Sequence, residues 1–210
     1  MFIVFEGMDG AGKSTQIRLL TDRLRATGTP VTLTREPGGS PLAEEIRRLV
    51  LEGDPGRMDV ETELLLFTAA RHDHVRNTVK PALARGELVL CDRYFDSTYA
   101  LQCAGGMDEG TIGMLHDRFV GLNPDLVVFF ILDEEEALGR AMARGGAAAA
   151  EERMERKGLD FHRKVAANIQ ARAKIPGRTT VTIDAKGSVE EVAARLDAAL
   201  APYLAARTGA

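Results

Sequence analysis

The stretch "VFEGMDGAGKST", residues 4–15, decides how the rest of the chain is read. It holds G-x-x-x-x-G-K-S from Gly7 to Ser14, directly after a short apolar run. A glycine-rich turn between a strand and a helix lets backbone N–H groups point inward at an anion, and the helix N-terminus adds its dipole. In such a loop Lys13 reaches the outer phosphates and the Ser14 hydroxyl holds Mg2+. The residues between the glycines are Met8, Asp9, Gly10 and Ala11, so no arginine assists Lys13. If the loop serves phosphoryl transfer, further positive charge must come from elsewhere in the chain. The motif alone leaves GTPase, ATPase and small-molecule kinase open, although no guanine-reading N-K-x-D is present.

Outward from the loop, apolar runs alternate with helical periodicity. "FIVF" (2–5) reads as a buried strand, and Ile17, Leu20 and Leu24 repeat at helical spacing after Lys13, up to Gly28. "VTLT" (31–34), "ELVLCD" (87–92), "DLVVFFILD" (125–133) and "TTVTID" (179–184) read as four more strands. Ser40 is a candidate N-cap for the helix "PLAEEIRRLVLEG". A long helical pattern runs from Val60 to about Arg85, and the last helix, with Val192, Leu196 and Leu200 on one face, follows Ser188. Strands that are apolar throughout, alternating with helices, predict a three-layer α/β fold: a five-stranded parallel sheet with helices on both sides. One domain is expected over 1–210. The segment "RGGAAAAEERMERKG" (144–158), small and then highly charged, reads as a mobile surface segment with few core candidates.

Composition narrows the classes. The chain has 210 residues, 45% hydrophobic and 28% charged, enough to bury a sizeable core. A formal net charge of -4 argues against a nucleic-acid binder. Two cysteines in unrelated contexts, Cys91 and Cys103, make neither a disulfide framework nor a metal site. With no leader-like or membrane-length apolar run, a cytoplasmic protein is expected.

Two further positions complete a constellation. Asp92 ends an apolar strand beside the loop, which fits an acid that holds Mg2+ directly or through water. Arg93 follows it, and Arg35 in "REPGG" ends another strand. Two guanidinium forks at adjacent strand ends can clamp a second phosphate. One phosphate site from a loop and another from arginines is the arrangement of a nucleoside monophosphate kinase.

"FEGMDGAGKST", "TREPGG", "ELLLFTAARHDHV", "KPALARGELVLCDRYFDST" and "NPDLVVFFILD" occur in the order and spacing of bacterial thymidylate kinases, and the resemblance runs from about residue 2 to residue 187. It implies a P-loop kinase fold and transfer of the ATP γ-phosphoryl group to dTMP with Mg2+, usually in a homodimer. By the same resemblance, Gly7, Met8, Asp9, Gly10, Ala11, Gly12, Lys13, Ser14 and Thr15 bind ATP. Phe67 matches the aromatic that stacks on thymine and Arg71 the residue that hydrogen-bonds the base. The i, i+4 spacing of these two agrees, since it puts both on one helix face. Arg35 and Arg93 match the residues that hold the acceptor phosphate. Asp9 matches an acid whose partner is the arginine, the acceptor or the Mg2+ site. Ser97, Thr98 and Gln102 match polar positions near sugar and base. The charged segment at 144–158 matches the family's lid. In members without a basic residue in the phosphate loop the lid supplies arginines, and Arg153 aligns with that role ahead of Arg156. Arg140 or Arg144 would lie over the adenine, opposite "IDAKGS" (183–188). The resemblance thus gives Asp9, Lys13, Arg93 and Arg153 as catalytic, Ser14 and Asp92 as metal-holding.

The chain departs from that pattern in places. "ALQCAGG" (100–106) has Leu101 where the family carries a tyrosine near the deoxyribose, and it lacks the arginine after the glycines. "FHRKVAANI" has Ala166 and Ile169 in place of a usual arginine and tyrosine. His72 and His74 are two apart and make a poor metal pair, while His116 and His162 read as lone surface-compatible histidines. Glu134, Glu135 and Glu136 begin a helix, where acids complement the dipole. Two other readings stay open: a P-loop kinase for another nucleoside monophosphate, and a nucleotide-binding protein without turnover.

Overall fold

The computed structural model describes residues 1–133, 136–137, 140 and 152–208. Its centre is a five-stranded parallel sheet built from β1 (Phe2–Gly7), β2 (Val31–Arg35), β3 (Leu88–Asp92), β4 (Leu126–Ile131) and β5 (Thr180–Asp184). The strand order is β2-β3-β1-β4-β5. β1 is therefore central, pairing Phe5 with Asp92 of β3 and with Val128 of β4.

Period-two alternation along these strands feeds two cores. Ile3, Phe5, Leu90, Val128 and Phe130 face α1 (Lys13–Ala26) and the C-terminal helix, Val189–Thr208. Phe2, Val4, Val89, Val127 and Phe129 face the opposite layer, with Tyr94 and Ile169. Side chains fully buried on both faces explain why β1 and β4 read as continuous apolar runs. The C-terminal helix opens on a reciprocal capping pair: Glu191 N–H donates to Ser188 Oγ at 3.2 Å and Ser188 N–H to Glu191 Oε2 at 2.8 Å.

Three expectations about helices and segments are revised. Ser40 sits at the N-cap of α2 (Pro41–Leu51), but its hydroxyl donates to Asp73 Oδ2 at 2.6 Å instead of capping. The long helix from Val60 is α3 (Val60–His74), a π-turn (Val75–Val79) and α4 (Lys80–Ala84). The π-turn falls just before Pro81, which has no N–H to continue the i to i−4 ladder. The third concerns 144–158. Its first part, 144–151 and with it Arg144, lies outside the described residues. The remainder is not a surface run: Arg153 and Met154 are buried. Met154 joins a third core with Ile46 and Val50 of α2 and Phe67 and Ala70 of α3.

Two further helices, α5 (Phe95–Ala104) and α6 (Glu109–Phe119), were not marked by periodicity. α6 is capped by Asp108, whose Oδ1 accepts from Thr111 N–H at 2.8 Å. His116 of α6 is buried, not surface-compatible: its ring lies 4.2 Å from that of Phe95, and burial lowers its pKa to about 4. No helix among the described residues is long and apolar enough to cross a membrane.

Candidate active site

The carboxyl ends of β1, β2 and β3 open into a cleft of about 390 Å³, where ligands of open parallel sheets bind. Its floor is the loop from Gly7 to Ser14. Gly7 has φ 144°, and a Cβ there would stand 2.5 Å from the Phe130 carbonyl oxygen of β4. Only glycine lets the loop leave the strand that closely. Gly12, with φ 79°, caps α1 without a side chain, so the first N–H groups of α1 stay available to an anion.

Lys13 folds back over the loop and donates to the carbonyl oxygens of Gly7 at 2.9 Å and Met8 at 2.8 Å. Burial, and then the positive Arg93, lower its pKa to about 8, against the pull of Asp9 and Asp92. Ser14 Oγ donates to Asp92 Oδ2 at 2.7 Å, while Asp92 Oδ1 is buried without a hydrogen-bond partner. Gly7, Met8, Asp9, Lys13 and Ser14 line the cleft. Gly10, Ala11 and Gly12 complete the turn behind them, and Thr15 lies in the first turn of α1.

Arg93 follows β3 with φ 68°, a left-handed conformation that an arginine rarely adopts. Its N–H donates to the Phe5 carbonyl oxygen at 2.9 Å. The guanidinium bridges two elements: Nη2 donates to Asp9 Oδ1 at 2.7 Å and Nη1 to Ser97 Oγ at 2.9 Å. Burial would lower its pKa, but the charges of Asp9, Asp92 and Glu6 overcome this and hold it protonated. Arg35 lines the same cleft from the β2 end, more exposed, with Nη2 3.1 Å from Glu44 Oε2.

The far wall comes from α3 and α5. Arg71 is buried and held from three sides. Its Nε donates to Glu36 Oε2 at 2.7 Å, and its Nη2 to Thr98 Oγ1 at 2.7 Å and the Tyr94 carbonyl at 3.0 Å. The Tyr94 ring lies 5.0 Å from the guanidinium carbon. Glu36 also meets His74 Nδ1 at 2.8 Å, and His74 Nε2 meets Thr34 Oγ1 at 2.7 Å. Phe67 does two things: it belongs to the α2–α3 core and lines the cleft. Ser97, Thr98 and Leu101 line it from α5.

Two expected site residues lie elsewhere. Gln102 is fully buried outside the cleft and donates to Glu63 Oε2 at 3.4 Å. Arg153 is also fully buried and does not line the cleft, although its neighbour Met154 does. Its Nη2 bonds Glu63 Oε1 and its Nη1 the Val50 carbonyl at 2.6 Å, leaving Nε without a partner. Lys157 closes on the same carboxylate at 2.6 Å. Arg156 is exposed, 3.4 Å from Asp54. Arg140 donates to the Ala185 carbonyl at 3.2 Å and so meets the 183–188 segment.

Several residues of this architecture escape a reading of the sequence. Glu6, Glu36, Glu63 and Asp96 are buried carboxylates, each holding partners from distant segments. Asp96 is clamped by Arg178 through two bonds, at 2.8 and 2.6 Å, and by Arg172 at 2.5 Å. The available signal was an acid closing an apolar run, as in "FIVFE", or one beside a candidate arginine, as in "REP".

A family model described as thymidylate kinase matches residues 5–196. A thymidylate kinase of Ruegeria pomeroyi is 48% identical over 198 residues, covering 92% of this chain and 91% of the relative. One of Caulobacter vibrioides is 48% identical over 197 residues, with 93% of each covered. Among solved structures, the thymidylate kinase of Ehrlichia chaffeensis aligns with a TM-score of 0.73 and 31% identity, over 95% of this chain and 98% of that one. A phosphate loop, an arginine bridging it to α5 and a walled cleft beside both thus coincide with a sequence match over nine-tenths of the chain: the chain belongs to the thymidylate kinase family.

Proposed function

We propose that this chain transfers the γ-phosphoryl group of ATP to dTMP, giving dTDP and ADP. The observation that carries the reading is Arg93. It spans from Asp9 of the donor loop to Ser97 of the acceptor wall, so one guanidinium serves both sides of the transferring group. Lys13 leaves its two carbonyl partners for the donor's outer phosphates, whose negative charge raises its pKa again. Arg35 and Arg93 hold the acceptor phosphate, Phe67 stacks on thymine, and Arg71 hydrogen-bonds the base. Ser97 and Thr98 lie beside the sugar. Catalysis is positioning and charge neutralisation in a site that excludes water, the competing acceptor.

Ser14 and Asp92 suit Mg2+: the buried, unpartnered Asp92 Oδ1 is the kind of hard oxygen this ion takes, with water and phosphates completing its shell. When bound, the ion neutralises charge on the phosphate oxygens. Arg153 is the lid arginine of this reading. It reaches the transferring group once the 152–158 segment leaves Glu63 and the α2–α3 core. The exposed Leu65 of α3, with Met114 and Phe119 of α6, supports a homodimer through these two helices, which pack side by side.

A coupled assay of ADP release with ATP and a panel of nucleoside monophosphates tests the reading. Turnover with dTMP ahead of dUMP and the ribonucleotides is expected. Preference for another acceptor makes it a different monophosphate kinase, and binding without ADP release makes it a nucleotide-binding protein.

A further inference from the structure

Glu6 is the one charged residue of β1, and it is fully buried. Desolvating a carboxylate is costly unless donors surround it, and here three do. Oε1 accepts the N–H of Tyr94 at 2.8 Å and that of Ser97 at 3.1 Å. Oε2 accepts the Ser97 hydroxyl at 2.5 Å. Tyr94 is the N-cap residue of α5 and Ser97 its third helical residue, and α5 has no side-chain cap of its own. Glu6 therefore caps α5 from a neighbouring strand, satisfying N–H groups that the helix leaves open.

The hydroxyl of Ser97 is polarised in one sense. Arginine has no acceptor, so Arg93 Nη1 must donate to Ser97 Oγ. The hydroxyl proton then goes to Glu6, which in its ionised form can only accept. Donation runs from Arg93 to Ser97 to Glu6, and the far end of Arg93 is tied to Asp9. A long arginine side chain loses rotamer entropy on being fixed, and its left-handed backbone adds strain. The Glu6 cap holds the 94–97 main chain next to that backbone, and the Glu6–Ser97 bond sets the acceptor that receives the guanidinium.

We propose that Glu6 is a positioning residue for Arg93: it caps α5 and draws the Ser97 proton, and so fixes the guanidinium that holds the acceptor phosphate. The inference rests on the acceptor-phosphate role of Arg93 proposed above.

Glu6→Gln keeps the shape and can still cap the two N–H groups, but its amide then donates to Ser97 Oγ, so the hydroxyl proton loses its acceptor and the serine oxygen must receive two donors at once. KM for dTMP and ATP, kcat, and the inhibition constant of thymidine, which lacks the phosphate, are measured for the parent, Glu6→Gln, Ser97→Ala, the double variant and Arg93→Ala. Glu6→Gln is expected to raise the dTMP KM about tenfold, the loss typical of a charged hydrogen bond, with ATP KM and thymidine binding unchanged. The same substitution in a Ser97→Ala background is expected to add little, because the link is already cut. A dTMP KM that stays at the parent value overturns the proposal. So do equal losses for dTMP, ATP and thymidine, or strictly additive effects of the two substitutions. If Glu6→Gln does not fold, Ser97→Ala decides alone: a larger loss for dTMP than for thymidine, whose sugar Ser97 also adjoins, supports the link, and equal weakening of both overturns it. An Arg93→Ala enzyme with parental dTMP KM overturns the underlying role of Arg93 and the proposal together. Weak dTMP binding in Arg93→Ala beside a parental Glu6→Gln overturns only the proposal.

Discussion

Glu6 illustrates how a single residue trades stability for placement. Burial, reinforced by Asp96, raises its pKa from the ordinary 4.5 to about 7, against the hydrogen bond from Ser97, the charge of Arg93 and the Tyr94 N–H. Its charged neighbours lie on several elements: Asp96 on α5, Arg93 after β3, Lys13 on α1 and Arg178 before β5. A carboxyl whose folded pKa exceeds its unfolded one favours the fold most below pH 4.5, and that contribution is lost as pH rises through 7. Glu6→Gln should therefore gain stability over the parent as pH rises, by up to about 3 kcal/mol between pH 5 and pH 8. Urea unfolding at the two pH values checks this, and a constant difference contradicts it. Phe67 carries two roles at once. Phe67→Ala should raise the dTMP KM and also destabilise the α2–α3 core by about 3 kcal/mol. Thermal unfolding beside kinetics separates the two, and a loss of stability with unaltered KM would leave only the core role.

At the scale of elements, the short helix Glu152–Glu155 is pinned between α2 and α3 by Met154 and by the bonds of Arg153 and Lys157 to Glu63. A buried carboxylate shared by two cations is expensive to break, since removing one partner exposes the rest to an uncompensated charge. Arg153→Ala should lower kcat roughly a thousandfold with little change in dTMP affinity. Single-turnover rates measure this, and a parental rate assigns the role to Arg156. In α5, Leu101 lines the cleft, next to Ser97 and Thr98, which the proposed function sets beside the sugar. Leu101→Tyr should raise the preference for dTMP over its ribose counterpart by roughly tenfold. The ratio of kcat/KM values for the two acceptors reads it out, and an unaltered ratio removes Leu101 from sugar selection. α5 itself was hard to see in the sequence because its inward face is polar, with Asp96, Ser97, Thr98 and Gln102 all buried. A helix that buries hydrogen-bonding groups leaves no apolar stripe to count.

Across the whole molecule, the sheet and the phosphate loop were legible for the same reason: both depend on local spacing. β4 and the first four residues of β1 are apolar residue by residue, and the loop's glycines and Lys13 sit at fixed intervals. The strand order was not legible, nor were the buried carboxylates. Glu6 meets Ser97 across 91 residues and Glu63 meets Lys157 across 94, and no local pattern records such pairings. Gln102 and Arg153 show the same limit: matched positions indicated polar work, and the fold turned both toward Glu63.

The central place of β1 has a consequence for how the chain is made. One edge of β1 pairs with β3, which ends at Asp92, and the other waits for β4, which begins at Leu126. While the ribosome adds the intervening residues, the cleft walls Arg35, Arg71, Arg93 and Ser97 have already been synthesised, yet an apolar strand still presents an open row of N–H and C=O groups. Such an edge invites pairing with another chain. A chain stopped after Val120 should accordingly aggregate, whereas the full chain, with β4, β5 and the C-terminal helix in place, should not, and light scattering of the released chains would tell them apart.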